Sequence, residues 1–137
     1  MSDRYNALAA WVEKYQIKDG YKEEALPYSS HAGSVGLGWM PILEELAKEL
    51  VSLGWNRRLD QVKEKFGGLR FYIGGDSGAS IDKINKIEAR IVAAENESYT
   101  ICEDCGAPGE PRKSSWIRTL CAACNDSRYT NSPWHNV

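Results

Sequence analysis

The sequence has no excess of charge: 17 Lys and Arg stand against 19 Asp and Glu, a formal net charge of −2. Proteins that coat nucleic acid or other polyanions are usually strongly basic, so that class loses ground and a local basic patch remains open. No apolar run is long enough to span a bilayer. The first residues, Met1 to Tyr5, contain no apolar signal core. Together these imply a cytoplasmic protein with no membrane partner. Histidine is scarce, with only His31 and His135, and cysteine is limited to four residues. There is no phosphate-cradling glycine motif, no nucleophile elbow and no metal–carboxylate cluster. The expectation is therefore a protein that is not an enzyme.

What is present is enough for a core. Of 137 residues, 42% are hydrophobic and 26% charged, near the globular average, which argues against disorder along the whole chain. The length suits one compact domain.

Steps of three and four predict an amphipathic helix over Arg4 to Gln16, with Tyr5, Leu8, Val12 and Tyr15 on one face and Ala9 and Trp11 widening it. Residues 20–40 hold Pro27, Ser29, Ser30, Gly33, Ser34, Gly36 and Gly38 and read as a long loop. A second helix starts near Pro41, buries Ile42, Leu43, Leu46, Leu50 and Leu53, and closes at Gly54. Its residues Glu44, Glu45, Lys48 and Glu49 face water.

The period then becomes strand-like. Gln61–Phe66 and Leu69–Ile73 flank Gly67-Gly68, a two-residue hairpin signal. With those glycines as the turn, Lys65 faces Arg70 and Val62 faces Ile73. One face is then Val62, Phe66, Leu69, Phe71 and Ile73 with Glu64 among them. The other is Lys63, Lys65, Arg70 and Tyr72. A helix over Ser80 to Ala94 follows, striped by Ile81, Ile84, Ile87 and Ile91.

Cysteine spacing carries the strongest chemical signal. Cys102-x2-Cys105 and Cys121-x2-Cys124 are separated by fifteen residues, within the pattern of two CxxC pairs that bind zinc. A CxxC turn brings two thiolates to one ion, and four thiolates close a tetrahedral site, so the zinc is structural. Gly106 sits where the first knuckle needs positive φ. Trp116, Ile117 and Leu120 mark a strand from Ser115 to Leu120, and a helix can open after Cys121. Knuckle, hairpin and ligand-bearing helix make a treble clef; a zinc ribbon is the alternative.

The fold expected is α+β, with residues 1–99 forming a helical and hairpin domain and residues 100–137 a four-cysteine module docked on it. From Thr100 onward, Arg112, Lys113, Arg118 and Arg128 cancel Glu103, Asp104, Glu110 and Asp126. That balance makes the module a poor non-specific phosphate binder. Candidate partner-binding residues are Lys63, Lys65, Arg70 and Tyr72 on the hairpin and Arg112, Lys113 and Arg118 on the finger. The hairpin cations have an internal alternative, neutralisation by Glu44, Glu45 or Glu88. Glu64 on the apolar face requires a cation, for which Arg90 or Arg118 is available, or several donors, or else it has an active-site role. An exposed Trp134 would add a contact surface.

The run Gln61-Val62-Lys63-Glu64-Lys65-Phe66-Gly67-Gly68-Leu69-Arg70-Phe71-Tyr72 resembles a signature of small four-cysteine zinc-finger proteins of bacteriophages and bacteria. The same holds for Ala94 to Ser98, for Cys102 to Gly109 and for Trp116 to Cys121. The resemblance starts at about Gly38. It implies a zinc-binding accessory protein of phage or prophage origin that contacts a host or phage protein and inhibits a host enzyme or defence complex. The rival reading is a nucleic-acid-binding regulator using the finger and hairpin cations.

Overall fold

The computed structural model describes residues 3–20, 35–113 and 116–130, with the backbone alone at residues 3–5, 129 and 130. His31, His135 and Trp134 lie outside the described residues.

Helix α1 runs Asp3–Tyr15 and buries Leu8, Trp11 and Val12. It stops because Gln16 takes φ 51, which lets Ile17 N–H reach back to Val12 O at 2.9 Å. Strand β1, Lys18–Asp19, pairs parallel to β2. A 3-10 turn, Leu37–Trp39, leads into α2, Met40–Ser52. Helix α2 buries Ile42, Leu43, Leu46, Ala47 and Leu50, and Gly54 at φ 92 closes it as expected. Trp55 N–H donates to Leu50 O at 2.8 Å across that stop.

Strands β2, Arg58–Lys65, and β3, Gly68–Ile73, form the hairpin, and the sheet order is β1-β2-β3. Its turn departs from the expectation. Lys65 pairs with Gly68, Glu64 with Leu69, Lys63 with Arg70 and Val62 with Phe71. The turn is thus Phe66-Gly67, at φ 54 and 87. Two successive positive φ values give the type I′ geometry, whose twist matches that of the flanking strands. Phe66 is consequently not on the apolar face; it is 68% exposed at the tip. Lys63, not Lys65, opposes Arg70. A bulge between Leu59 and Gln61 restores Leu59 to the buried side.

Helix α3 runs Ile81–Ser98, four residues beyond the expected end, with the Ser80 hydroxyl capping Lys83 N–H. Its first turn projects past the core, so Ile81 is exposed while Ile87 and Ile91 are buried. The helix also closes the outer edge of β3. Ser98 Oγ accepts from Leu69 N–H at 2.8 Å, and Glu95 Oε2 accepts from Phe71 N–H at 3.0 Å. One core joins α1, α2, α3 and the inner hairpin face through Trp11, Trp39, Leu43, Leu46, Leu59, Val62, Leu69, Phe71 and Ile91.

The remaining strands, β4, Glu110–Arg112, and β5, Arg118–Leu120, pair antiparallel. Helix α4, Ala122–Thr130, follows at once. The structure is thus mixed, with four α-helices and five strands among the described residues.

Candidate metal centre

The first cysteine pair sits on a tight knuckle. Cys102 N–H donates to Ala107 O at 2.7 Å, Gly106 N–H donates to Cys102 O at 2.9 Å, and Gly106 takes φ 85. The second pair straddles the start of α4, with Cys121 just before it and Cys124 in its first turn. The β4–β5 ribbon carries the chain from one pair to the other. As a result the four Sγ atoms of Cys102, Cys105, Cys121 and Cys124 all lie within 4.8 Å of one another. Cys105 Sγ and Cys121 Sγ are 3.7 Å apart. A tetrahedral four-sulfur site with metal–sulfur bonds near 2.3 Å has edges of about 3.8 Å, so the cage fits such an ion.

Backbone amides face the sulfurs. Ala107 N–H lies 3.5 Å from Cys105 Sγ and Cys124 N–H lies 3.4 Å from Cys121 Sγ. Burial pushes the Cys102 thiol up, but hydrogen bonding from the backbone of Cys121, Cys105 and Asp104 outweighs it and brings the group down to about 7. Burial, reinforced by the neighbouring cysteines, pushes the Cys124 thiol up. A bound cation would reverse this, since coordination deprotonates a thiol.

The centre is tied to the rest of the chain through Glu103, which lies between the first two cysteines and is 2% exposed. Its backbone O accepts from Gly38 N–H at 2.7 Å, and its N–H donates to Thr119 O at 3.0 Å. Its carboxylate accepts from Gly36 N–H at 3.0 Å and from Arg118 Nη1 at 3.2 Å. Burial pushes this carboxyl up, and the adjacent Arg118 pulls it down. Trp39 Nε1 donates to Ile101 O at 2.9 Å, and Thr119 Oγ1 donates to Gly67 O at 2.6 Å. Gly36 and Gly38 admit the knuckle. A Cβ on Gly38 would lie 2.1 Å from Cys102 O.

The cations singled out from sequence go to different places. Arg118 turns inward and lies 3.8 Å from Glu64 as well as against Glu103. Glu64 is thus neutralised by Arg118, while Arg90 pairs with Glu49 at 2.6 Å. Glu64 Oε2 also accepts from Gly67 N–H at 2.8 Å. Arg112 pairs with Glu110 and donates to Leu120 O, and Arg128 grips Asp104 through two bonds of 2.7 and 2.6 Å. Lys113 is exposed just after β4.

Lys63, Lys65, Arg70 and Tyr72 do share the outer hairpin face, but Glu44, Glu45 and Glu88 do not neutralise it. Glu44 is taken by Lys14 and Tyr15, because α2 packs on the opposite, apolar side of the sheet. Arg70 instead donates to the Tyr99 hydroxyl at 3.0 Å. Sequence reasoning missed Glu103, since nothing local distinguishes it from an exposed knuckle residue. It also missed Ser98 and Glu95 as caps on β3.

Comparison with protein-family models, with curated proteins and with solved structures finds no match.

Proposed function

We propose that the chain binds one zinc ion through Cys102, Cys105, Cys121 and Cys124, and that the ion holds a contact module in shape without taking part in catalysis. The convergence of four Sγ atoms within 4.8 Å carries this reading. Four soft thiolates at tetrahedral spacing favour zinc and leave it no open coordination position. The succession of knuckle, ribbon and helix is what supports reading the module as a treble clef. A segment this small gains its fold from the metal.

The chain then acts as an accessory protein that contacts another protein. In support, the finger's arginines are spent internally, Arg118 on Glu103 and Glu64, Arg128 on Asp104 and Arg112 on Glu110, which leaves Lys113 as its exposed cation. That weighs against the nucleic-acid regulator, whose affinity would come from free cations on phosphates. The phage setting, and inhibition of a host enzyme or defence complex, rest on the resemblance of the Gln61–Tyr72 run.

Elemental analysis of the purified chain tests the metal: one zinc per chain is expected, and none in Cys121→Ser. A pull-down from host lysate, with and without nuclease, tests the partner class. Protein partners that survive nuclease support the reading. Partners lost with the nucleic acid overturn it.

A further inference from the structure

Phe66 occupies a position that its side chain does not suit. It is the first central residue of a type I′ turn, at φ 54, where Asn or Asp is the favoured residue and a bulky side chain is an outlier. It is also 68% exposed, so packing does not compensate for the backbone. A strained, solvent-facing aromatic at a hairpin tip is a local cost that no buried packing offsets.

Its neighbours form one surface. Ile117 packs against the turn, its Cγ2 only 3.1 Å from where a Cβ on Gly67 would stand, and it is 37% exposed. Trp116 precedes it, 63% exposed, with the Arg118 guanidinium 5.9 Å from its ring centre. The Lys65 ammonium lies 5.6 Å from the Phe66 ring centre. Along the outer face run Lys63, Arg70 directly across from it, and Tyr72, which is 41% exposed. Among the described residues, no carboxylate lies within ion-pair distance of Lys63, Lys65 or Arg70. Lys63 and Arg70 repel each other directly across the strand pair; Glu95 and the Tyr99 hydroxyl offset part of the Arg70 charge, and an arriving anion relieves the rest.

We propose that this hairpin tip is the docking surface for an acidic protein segment. The segment sets an apolar or aromatic side chain on Phe66, Ile117 and Trp116 and its carboxylates on Lys63, Lys65 and Arg70. Exposed aromatics beside an arginine make the composition of an interface anchor, and the lysines add charge complementary to carboxylates. Nucleic acid fits less well. Three cations supply little phosphate affinity, and the adjoining Glu64 and Glu103 already engage Arg118. The inference deepens the protein-contact reading above and rests on it.

The test selects ligands for the zinc-loaded full chain from a displayed library of random peptides of roughly a dozen residues. Recovered peptides are then titrated against wild type, Phe66→Asn, Lys65→Glu and Lys86→Ala. Enrichment in Asp and Glu with an aromatic or leucine is expected. Phe66→Asn and Lys65→Glu should each weaken binding at least tenfold, the scale of losing an interface anchor. Lys86→Ala, remote on α3, should leave it unchanged. Phe66→Asn should melt at or above the wild-type temperature, which separates lost contact from lost fold. Peptides without acidic bias, binding indifferent to Phe66→Asn, or no recovered peptide would sink this surface. The protein-contact reading would then stand or fall on the pull-down alone. Oligothymidylate bound more tightly than any peptide, and lost in the same variants, would overturn the inference in favour of nucleic acid.

Discussion

The carboxylate of Glu103 lies 3.2 Å from the guanidinium of Arg118, joining the metal knuckle to the last strand of the ribbon. The same guanidinium reaches Glu64 at 3.8 Å, so one cation ties knuckle, ribbon and hairpin together. Replacing Arg118 with Ala leaves two little-exposed carboxylates without their cation. A loss of about 3 kcal/mol is expected by urea denaturation. Adding Glu103→Gln removes one orphaned charge and should return part of that loss, so the double variant is less destabilised than the sum of the singles. Strict additivity would show that the two residues act independently.

Chelation should remove the ordered β4–β5 ribbon and α4 while α1, α2 and α3 partly survive, because the main core draws on those helices and the hairpin. Circular dichroism should show a partial loss of helix that zinc reverses. A spectrum and melting temperature indifferent to chelator would remove the metal from the account of stability.

Gly38→Ala is expected to cost about 2–3 kcal/mol. Its Cβ would stand 2.1 Å from Cys102 O and 2.5 Å from Gly106 N, and both are backbone atoms of the knuckle that cannot swing aside. Gly75→Ala is the control, since a Cβ there meets nothing within 4 Å. The pair can be compared by thermal melting and zinc content. Equal melting temperatures would show that the knuckle is free to shift away from the 3-10 turn that carries Gly38.

Glu95→Ala should uncover Phe71 N–H on the outer edge of β3, costing about 1–2 kcal/mol. An uncovered edge strand is a template for pairing with another chain, so self-association at high concentration is expected as well. Light scattering checks it. A monomeric variant of wild-type stability would show that water satisfies the edge equally well.

Features that depend on neighbours along the chain were legible in the residues alone. The stripe Ile42, Leu43, Leu46 and Leu50 gave the buried face of α2, and Gly54 marked its end, because helix faces and caps are set within a few residues. The Cys-x2-Cys pairs named all four residues of the metal cage before any geometry was known, since a knuckle places its two sulfurs locally. Glu64 on the apolar face announced that it needed a cation, and Arg118 was one of two candidates.

Other features arose from contacts between distant segments. Gly67-Gly68 looked like the turn, and Val62, Leu69 and Phe71 share the inner face in either register; the pairing of Val62 with Phe71 set the turn at Phe66-Gly67 and left Phe66 exposed at the tip. Strand β1 is two residues long and owes its existence to a partner forty positions later. Glu103 reads as a polar knuckle residue and becomes a buried one because Gly36, Gly38 and Arg118 converge on it from distant segments. Periodicity and ligand spacing are short-range properties. Register, ion pairing and the closing of a sheet edge come from parts of the chain meeting in space, and a free carboxylate and a captured one have the same letter.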